Sequence, residues 1–454
     1  MSHTQENKMG TMPINKLILS MSVPIMISML IQALYNIVDS MYVARISENA
    51  LTAVSLAFPY QNLMIAVGTG TGVGINALLS RSLGEKNFDL ANKTANVTLF
   101  LSIAISVIFA VIGCVFARPF IAFQTKNTDI INQGTSYLLI VSVVSVGLFG
   151  QIFTERLLQA TGKTIYSMIT QGLGAIINII LDPIMIFGWG PLPKMGIAGA
   201  ATATVIAQII AAIVGIVLNV KANKELKLSV KEIRPHAKII RKIYAVGVPS
   251  ILMGSIGSVM TFCMNKILIS FTETAVAVFG AYFKIQSFIF MPVFGLNNGI
   301  VPIIAYNLGA NKIDRIKKTI KLAAIYASAL MVVGIVIFQT LPGVLLSGLF
   351  DASDAMLKIG VPALRIISTH FIFAGVSIVC VSVFQAVSKG MYSLYISIAR
   401  QLVVLIPAAF LLSLTGVLDA IWLAFPIAEL VSLIACLIFL KRVNKNMFNK
   451  TIEQ

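Results

Sequence analysis

Twelve long apolar runs constrain this chain more than any other feature of its sequence. A bilayer core about 30 Å thick takes roughly 20 apolar residues per helix, and lipid offers no water to unpaired backbone groups, so such runs must be helical. With 57% hydrophobic and 11% charged residues in 454, the chain is predicted to be an all-α membrane protein with twelve transmembrane helices. The runs cover 17–43, 51–83, 94–117, 131–159, 165–187, 196–220, 242–269, 275–307, 316–341, 355–386, 393–414 and 418–440.

Lysine and arginine are distributed unevenly among the connections between these runs. If the N-terminus is cytoplasmic, the inner segments hold 23 of them and the outer segments hold five. Basic residues accumulate on the cytoplasmic side of membrane proteins, so we expect both termini to be cytoplasmic, in the cytoplasmic (inner) membrane. The net charge of +17 then reflects orientation, and we expect membrane lipids around a monomer, with no nucleic-acid partner.

The two halves of the chain repeat each other at a nearly fixed offset. Six helices per half is an even number, so both halves enter the membrane from the same side and the repeat is parallel. We therefore predict an N-lobe at 1–220, a basic cytoplasmic linker at 221–241 and a C-lobe at 242–454. The pairs 225 residues apart are Pro24 and Pro249, Gln61 and Gln286, Gly70 and Gly295, and Gly74 and Gly299; Gln159 and Gln385, and Lys163 and Lys389, are 226 apart.

Motifs of enzymes are missing from this sequence. It contains no metal-ligand spacing, nucleophile elbow or phosphate loop, so we expect neither an enzyme nor a bound cofactor. The glycine-rich stretch 68–74 lies inside an apolar run, and we interpret it as a close helix contact. Two similar bundles around a central cleft favour an alternating-access carrier.

Ionisable and polar residues inside the first six runs form a candidate cation site. Charge in a transmembrane helix is costly and is therefore a functional candidate. Asp39, Asn178, Asp182 and Thr204 come out at similar depth on helices 1, 5 and 6. Such oxygen-bearing groups can hold Na⁺ or share a proton between two carboxylates. A hydrogen-bonded polar knot that fixes helix packing is the alternative.

Further charged residues lie elsewhere in the apolar runs. Glu155 lies toward the inner end of helix 4, well away from the candidate cation site if that helix is straight; it is a substrate-path or gate residue, or part of a local ion pair. Lys284, Arg365 and Glu429 fall at comparable depth on helices 8, 10 and 12, and either form a structural charge network or line the cleft. Pro24 predisposes helix 1 to bend.

The order of several short motifs resembles the MATE (multidrug and toxic compound extrusion) family. These motifs are VP early in helices 1 and 7, VDSMYVAR after helix 1, SRSLGEK after helix 2, LQATGK after helix 4, and NIILDP with GAATAT. The resemblance covers nearly the whole chain and is greatest to the bacterial MepA-type branch. It implies a V-shaped pair of six-helix bundles and an N-lobe cation site at Asp39, Asn178, Asp182 and Thr204.

The same resemblance implies a secondary multidrug exporter. Organic cationic or amphipathic small molecules would leave in exchange for H⁺ or Na⁺ by alternating access. Some members carry a carboxylate in the middle of helix 7 and another in helix 10, and this chain has neither. The alternatives are a lipid-linked oligosaccharide flippase of the same superfamily, which would need a strongly cationic cleft, and a membrane scaffold or receptor without transport.

Overall fold

The described part of the chain consists of helices, and most of the connections between them are short. A computed structural model describes residues 7–188, 193–350 and 352–452. Ten helices there are long and apolar enough to cross a membrane, and two bent helix pairs raise the number of spans to twelve, as predicted. The spans are α1 Ile14–Ala44, α2 Glu48–Gly84, α3 Phe88–Gln124, α4 Thr128–Val143 with Val146–Ala160, α5 Thr164–Phe187, α6 Ile197–Lys221, α7 Ala237–Ile269, α8 Glu273–Gly309, α9 Ile313–Thr340, α10 Asp354–Ser368 with Phe371–Ala386, α11 Gly390–Ser413 and α12 Leu418–Val443.

The backbone repeats between the two halves in the same way as the sequence. Both bent spans are fourth in their half, with bends of 46° in α4 and 50° in α10. Left-handed backbone follows α2 at Lys86 (φ 57°) and α8 at Asn311 (φ 56°), and it follows α4 at Gly162 (φ 83°) and α10 at Ser388 (φ 60°). Side chains rarely adopt this conformation, so its recurrence at offsets of 225 and 226 confirms that the halves are structural repeats.

The chain divides into two compact units that exchange the starts of two helices. The N unit comprises residues 7–8 and the described part of 27–247, and the C unit comprises 9–26 and the described part of 248–452. The start of α1 thus belongs to the C unit and the start of α7 to the N unit, in contrast to the predicted lobes at 1–220 and 242–454. The predicted linker 221–241 is part of the N unit. Helix α1 passes through Pro24 without interruption.

Glycines on α2 and α8 explain this exchange. In the C unit, a Cβ on Gly295 of α8 would lie 2.7 Å from Met26 Cα, so only glycine admits the start of α1 there. In the N unit, a Cβ on Gly74 of α2 would collide with the backbone carbonyl of Ile243 at the start of α7. Small residues let helices approach closely in a membrane. The interpretation of Gly74 as a close helix contact is confirmed.

A polar cluster beside the start of α5 ties several connections of the N unit together. Asn7 donates one hydrogen bond to the Thr161 carbonyl (3.0 Å) and contacts both carboxylate oxygens of Glu225 at 2.8 Å. Burial raises the pKa of Glu225 above its usual value, and the Asn7 hydrogen bond and the Lys163 charge offset part of that rise. Burial and the nearby Lys163 ammonium also lower the pKa of Lys8.

Candidate cation site

Three helices of the N unit bring the four predicted cation-site residues together. Helix α5 places Asn178 and Asp182 one turn apart on the same face. The Asn178 amide donates to Asp182 Oδ1 and to Thr204 Oγ1 of α6, each at 3.3 Å. The Asp39 carboxyl of α1 is a hydrogen-bonding neighbour of the Asp182 carboxyl. The structure thus makes one cluster of residues that the sequence places only at similar depth.

Several oxygens of this cluster are buried without a partner. With both carboxyls ionised, Asp39 Oδ1, Asn178 Oδ1 and Asp182 Oδ2 accept no hydrogen bond from any described residue. Asp182 is fully buried and Asn178 is 2% exposed. Buried polar atoms are nearly always satisfied, and an exception calls for an explanation such as a bound ion. Pro183, inside α5, adds a free acceptor, because proline has no N–H for the carbonyl one turn earlier.

A small cavity adjoins the cluster. Its volume is about 20 Å³, and Asn178, Thr204, Tyr35, Gln151 and Gln171 are among its lining residues. A polar cavity needs roughly 10–15 Å³ to hold one water molecule, so this space suits a single ion or water molecule and excludes an organic compound.

Glu155 is connected to this cavity. Gln151 Nε2 lies 3.0 Å from both Glu155 Oε1 and Gln171 Oε1, and Thr170 Oγ1 lies 3.4 Å from Glu155 Oε1. A straight helix 4 would place Glu155 far from the cation cluster, but α4 bends by 46° before Val146. Tyr35 lies within electrostatic range of Asp39, Asp182 and Glu155. Glu155 is therefore hydrogen-bonded to Gln151, which lies in the wall of the cavity.

The donor set limits what this cluster can bind. All of its groups offer oxygen, which suits Na⁺ or a proton and does not suit a soft transition metal. Within the described residues, no group of three or more His, Cys, Asp and Glu is arranged to hold a metal ion. Two adjacent carboxyls cannot both be ionised cheaply in a low-dielectric site, so a hydrogen bond between Asp39 and Asp182 requires one shared proton, which a cation can replace.

In the C unit the structure does not bring Lys284, Arg365 and Glu429 together. Lys284 lies 5.8 Å from the centre of the Phe350 ring. The exposed Arg365 donates to the Gln339 carbonyl at 3.2 Å. Glu429 pairs instead with Arg400 of α11, Nη1 to Oε2, at 3.1 Å. Among the described residues, these contacts do not join the three predicted charges to one another.

The sequence interpretation missed several of these residues although signals for them existed. Tyr35 precedes Asp39 by one helical turn, and Gln151 precedes Glu155 by one turn, so each shares a helix face with a predicted site residue. Arg400 is an ionisable residue inside an apolar run, which makes it a functional candidate by the reasoning applied to Glu429. The partner of Arg400 is 29 residues away, and spacing alone does not identify it.

The comparisons with known proteins agree with this architecture. The MatE family model matches residues 24–184 and 249–411, one match in each half. Multidrug export protein MepA of Staphylococcus haemolyticus (strain JCSC1435) is 29% identical over 411 residues, which cover 90% of this chain and 89% of that protein. MepA of Staphylococcus aureus (strain MRSA252) is 26% identical over 428 residues, 94% of this chain and 93% of that protein.

Solved structures share the fold along nearly the whole chain. A crystal structure described as MATE in the bent conformation aligns with a TM-score of 0.91 at 22% identity, covering 99% of both chains. A MOP superfamily transporter from Pyrococcus furiosus aligns with a TM-score of 0.90 at 22% identity, covering 98% of this chain and 99% of that one. Because the family model matches most of the chain and the fold agrees throughout, this multi-pass membrane protein belongs to the MatE family.

Proposed function

We propose that this protein is a secondary exporter of small organic compounds, driven by the inward movement of H⁺ or Na⁺ bound at Asp39, Asn178, Asp182 and Thr204. The observation that carries the proposal is the set of buried oxygens without partners on Asp39, Asn178 and Asp182. A purely structural polar knot would satisfy its own hydrogen bonds. An ion-sized cavity beside them, about 20 Å³, supports a monovalent cation or a proton carried with water.

The relatives support the nature of the cargo. The curated relatives that align over about nine tenths of the chain are named multidrug export proteins. We therefore assign cationic or amphipathic organic compounds as substrates. The basic residues of the connections support an orientation with both termini in the cytoplasm. The outward direction of transport rests on the relatives, which are named export proteins.

Ion binding drives transport through the balance of charge in the cluster. With the site empty, the Asp39 and Asp182 carboxyls repel each other, and a proton or Na⁺ between them removes that repulsion. A ligand shifts a conformational equilibrium only by its differential affinity for the two states. The ion then favours whichever state, inward-open or outward-open, holds the two carboxyls closest together.

Glu155 has a subsidiary role in this mechanism. Its hydrogen bond to Gln151 (3.0 Å) joins it to the wall of the ion-sized cavity. We assign it to the path by which the ion leaves the cluster. A variant Glu155→Gln keeps the hydrogen bond and removes the charge, so it is expected to slow exchange of the ion while leaving substrate affinity near the wild-type value.

Efflux from cells tests the proposal directly. The protein is expressed in a bacterial strain that lacks its own multidrug pumps, and ethidium efflux is followed by fluorescence. The proton gradient and the sodium gradient are then collapsed separately. We expect efflux to stop with one of them, and to be absent from Asp182→Asn at a matched level of folded protein. Efflux that survives the loss of both gradients would overturn ion-driven export.

A further inference from the structure

The repeat gives the C unit a cavity at the position that corresponds to the ion-sized cavity of the N unit. Tyr35, Gly174 and Ala175 line the N-unit cavity. The offset of 225 takes Tyr35 to Met260, and the offset of 226 takes Gly174 and Ala175 to Arg400 and Gln401. All three of these residues line a cavity in the C unit. The two cavities are therefore equivalent places in duplicated bundles.

The C-unit cavity differs from its counterpart in size and in lining. Its volume is about 290 Å³, compared with about 20 Å³ in the N unit. Pockets of roughly 300–1,000 Å³ with apolar and aromatic walls are typical of small-molecule sites. The C-unit cavity has room for a small organic molecule. Four phenylalanines form much of its wall: Phe283, Phe290, Phe294 and Phe425.

A widened helical turn places the polar residues in this wall. Ala399–Leu405 is a π-helix inside α11, and such turns are rare and frequent at functional sites. Pro407, two residues after Leu405, lacks the N–H that the carbonyl four residues earlier would accept. The wide turn carries both Arg400 and Gln401 into the cavity wall.

Glu429 supplies the negative charge of the cavity. Its Oε2 atom accepts from Arg400 Nη1 at 3.1 Å, whereas Oε1 is buried without a partner among the described residues. The residue is 4% exposed and lines the cavity. An ionised carboxylate oxygen accepts hydrogen bonds and attracts cations. A buried acceptor without a partner calls for an explanation, such as a bound cation or a hydrogen-bond donor.

We propose that the C-unit cavity binds a small organic monocation, an aromatic ammonium compound, with its charge beside Glu429 Oε1 and its body among the phenylalanine rings. Aromatic faces are electron-rich and attract desolvated cations. Arg400 pairs with Oε2, so Oε1 is the side of the carboxylate that is left for a cation. The role of this site in export rests on the proposed function, whereas binding at equilibrium can be measured without an ion gradient.

Tryptophan fluorescence can report binding to this cavity. The chain has two tryptophans, so Trp189→Phe leaves Trp422 as the sole one. Trp422 is fully buried, and its ring lies 6.3 Å from that of Phe279, which lies 5.9 Å from the ring of the cavity residue Phe425. Purified protein in detergent is titrated with benzyltrimethylammonium and with neopentylbenzene, which replaces the charged nitrogen with carbon at nearly the same shape.

The two members of the ion pair should have opposite effects on cation binding. We expect the parent protein to bind the cation about tenfold or more tightly than the neutral isostere. Glu429→Gln should lose about that factor in cation affinity. Arg400→Gln should bind the cation more tightly than the parent protein, because charges in a partly buried site interact strongly. The double variant Arg400→Gln/Glu429→Gln leaves no unpaired buried charge and should bind both probes equally. Lys284→Gln, which removes an exposed charge of α8 outside the cavity, is the matched control and should bind like the parent.

Several results would overturn the inference. Equal affinity of the parent protein for the two probes would exclude a cation site, and so would a double variant that still prefers the cation. Benzenesulfonate binding that weakens in Arg400→Gln, with no cation binding, would assign the cavity to anions instead. If a single variant aggregates on size-exclusion chromatography, the double variant decides. A protein that binds the cation as expected but fails to export would refute the proposed function and leave this inference standing.

Discussion

Asp39→Asn is expected to separate ion coupling from substrate binding. The Asp39 carboxyl is a hydrogen-bonding neighbour of the Asp182 carboxyl, so the two charges lie close together when both groups are ionised. At an effective dielectric constant of about 20, two unit charges at about 4 Å repel by about 4 kcal/mol. That is close to a thousandfold in binding, since about 1.4 kcal/mol corresponds to tenfold.

The variant removes this repulsion without emptying the site. Asparagine is nearly isosteric with aspartate and can still hydrogen-bond Asp182, so the cluster keeps its packing. In the wild type, a bound cation relieves the repulsion between the two carboxylates. The variant has only one carboxylate, so the affinity for the cation should fall by a factor that approaches a thousand. The inward-outward equilibrium then no longer responds to the ion gradient. Substrate affinity should stay within about twofold.

Proteoliposomes provide the assay. Purified wild type and Asp39→Asn are reconstituted at equal protein content, and substrate accumulation is followed under an imposed pH gradient or an imposed sodium gradient. Asp89→Asn is the matched control, because it makes the same substitution at an exposed carboxylate that pairs with Lys93 at 2.7 Å. We expect the control to transport like wild type and Asp39→Asn to fall by more than tenfold. Wild-type accumulation by Asp39→Asn, with unchanged dependence on both ions, would refute the reasoning.

Three further predictions concern topology and stability. An impermeant maleimide on intact cells should label single cysteines in the outer connections and not those in the inner connections, and labelling of the inner group would reverse the orientation. The outer group is at Lys126, Lys194 and Asp354, and the inner group is at Lys86, Lys231 and Lys312. Gly299→Ala should destabilise the protein by about 1–3 kcal/mol, because the new Cβ collides with Ser22, whereas Gly280→Ala in the same helix meets nothing within 4 Å; equal melting temperatures would contradict this. Burial raises the pKa of Glu225, so the stabilisation by its protonated form is present at low pH and lost as pH rises through the raised pKa. Glu225→Gln should reduce the fall in melting temperature between pH 5 and pH 8, and an unchanged fall would count against that assignment.

Residue order alone predicts the class of structure and most of the candidate cation site. Long apolar runs have one solution in lipid, so all twelve spans were predictable. Asp39, Asn178, Asp182 and Thr204 were predictable because a helix rises by a constant amount per residue, which converts sequence position into depth. The repeat was also predictable, because duplicated helices of equal length keep equivalent residues at a nearly constant sequence offset.

Contacts between helices required the tertiary structure. Depth does not say which way a helix faces or where it bends, and the bend in α4 brings Glu155 within one hydrogen bond of the ion-sized cavity. The pairing of Arg400 with Glu429 depends on a π-helix that shifts the face of α11. Cavity volumes depend on the packing of many side chains at once, so no local pattern predicts that equivalent sites measure about 20 Å³ in one unit and about 290 Å³ in the other.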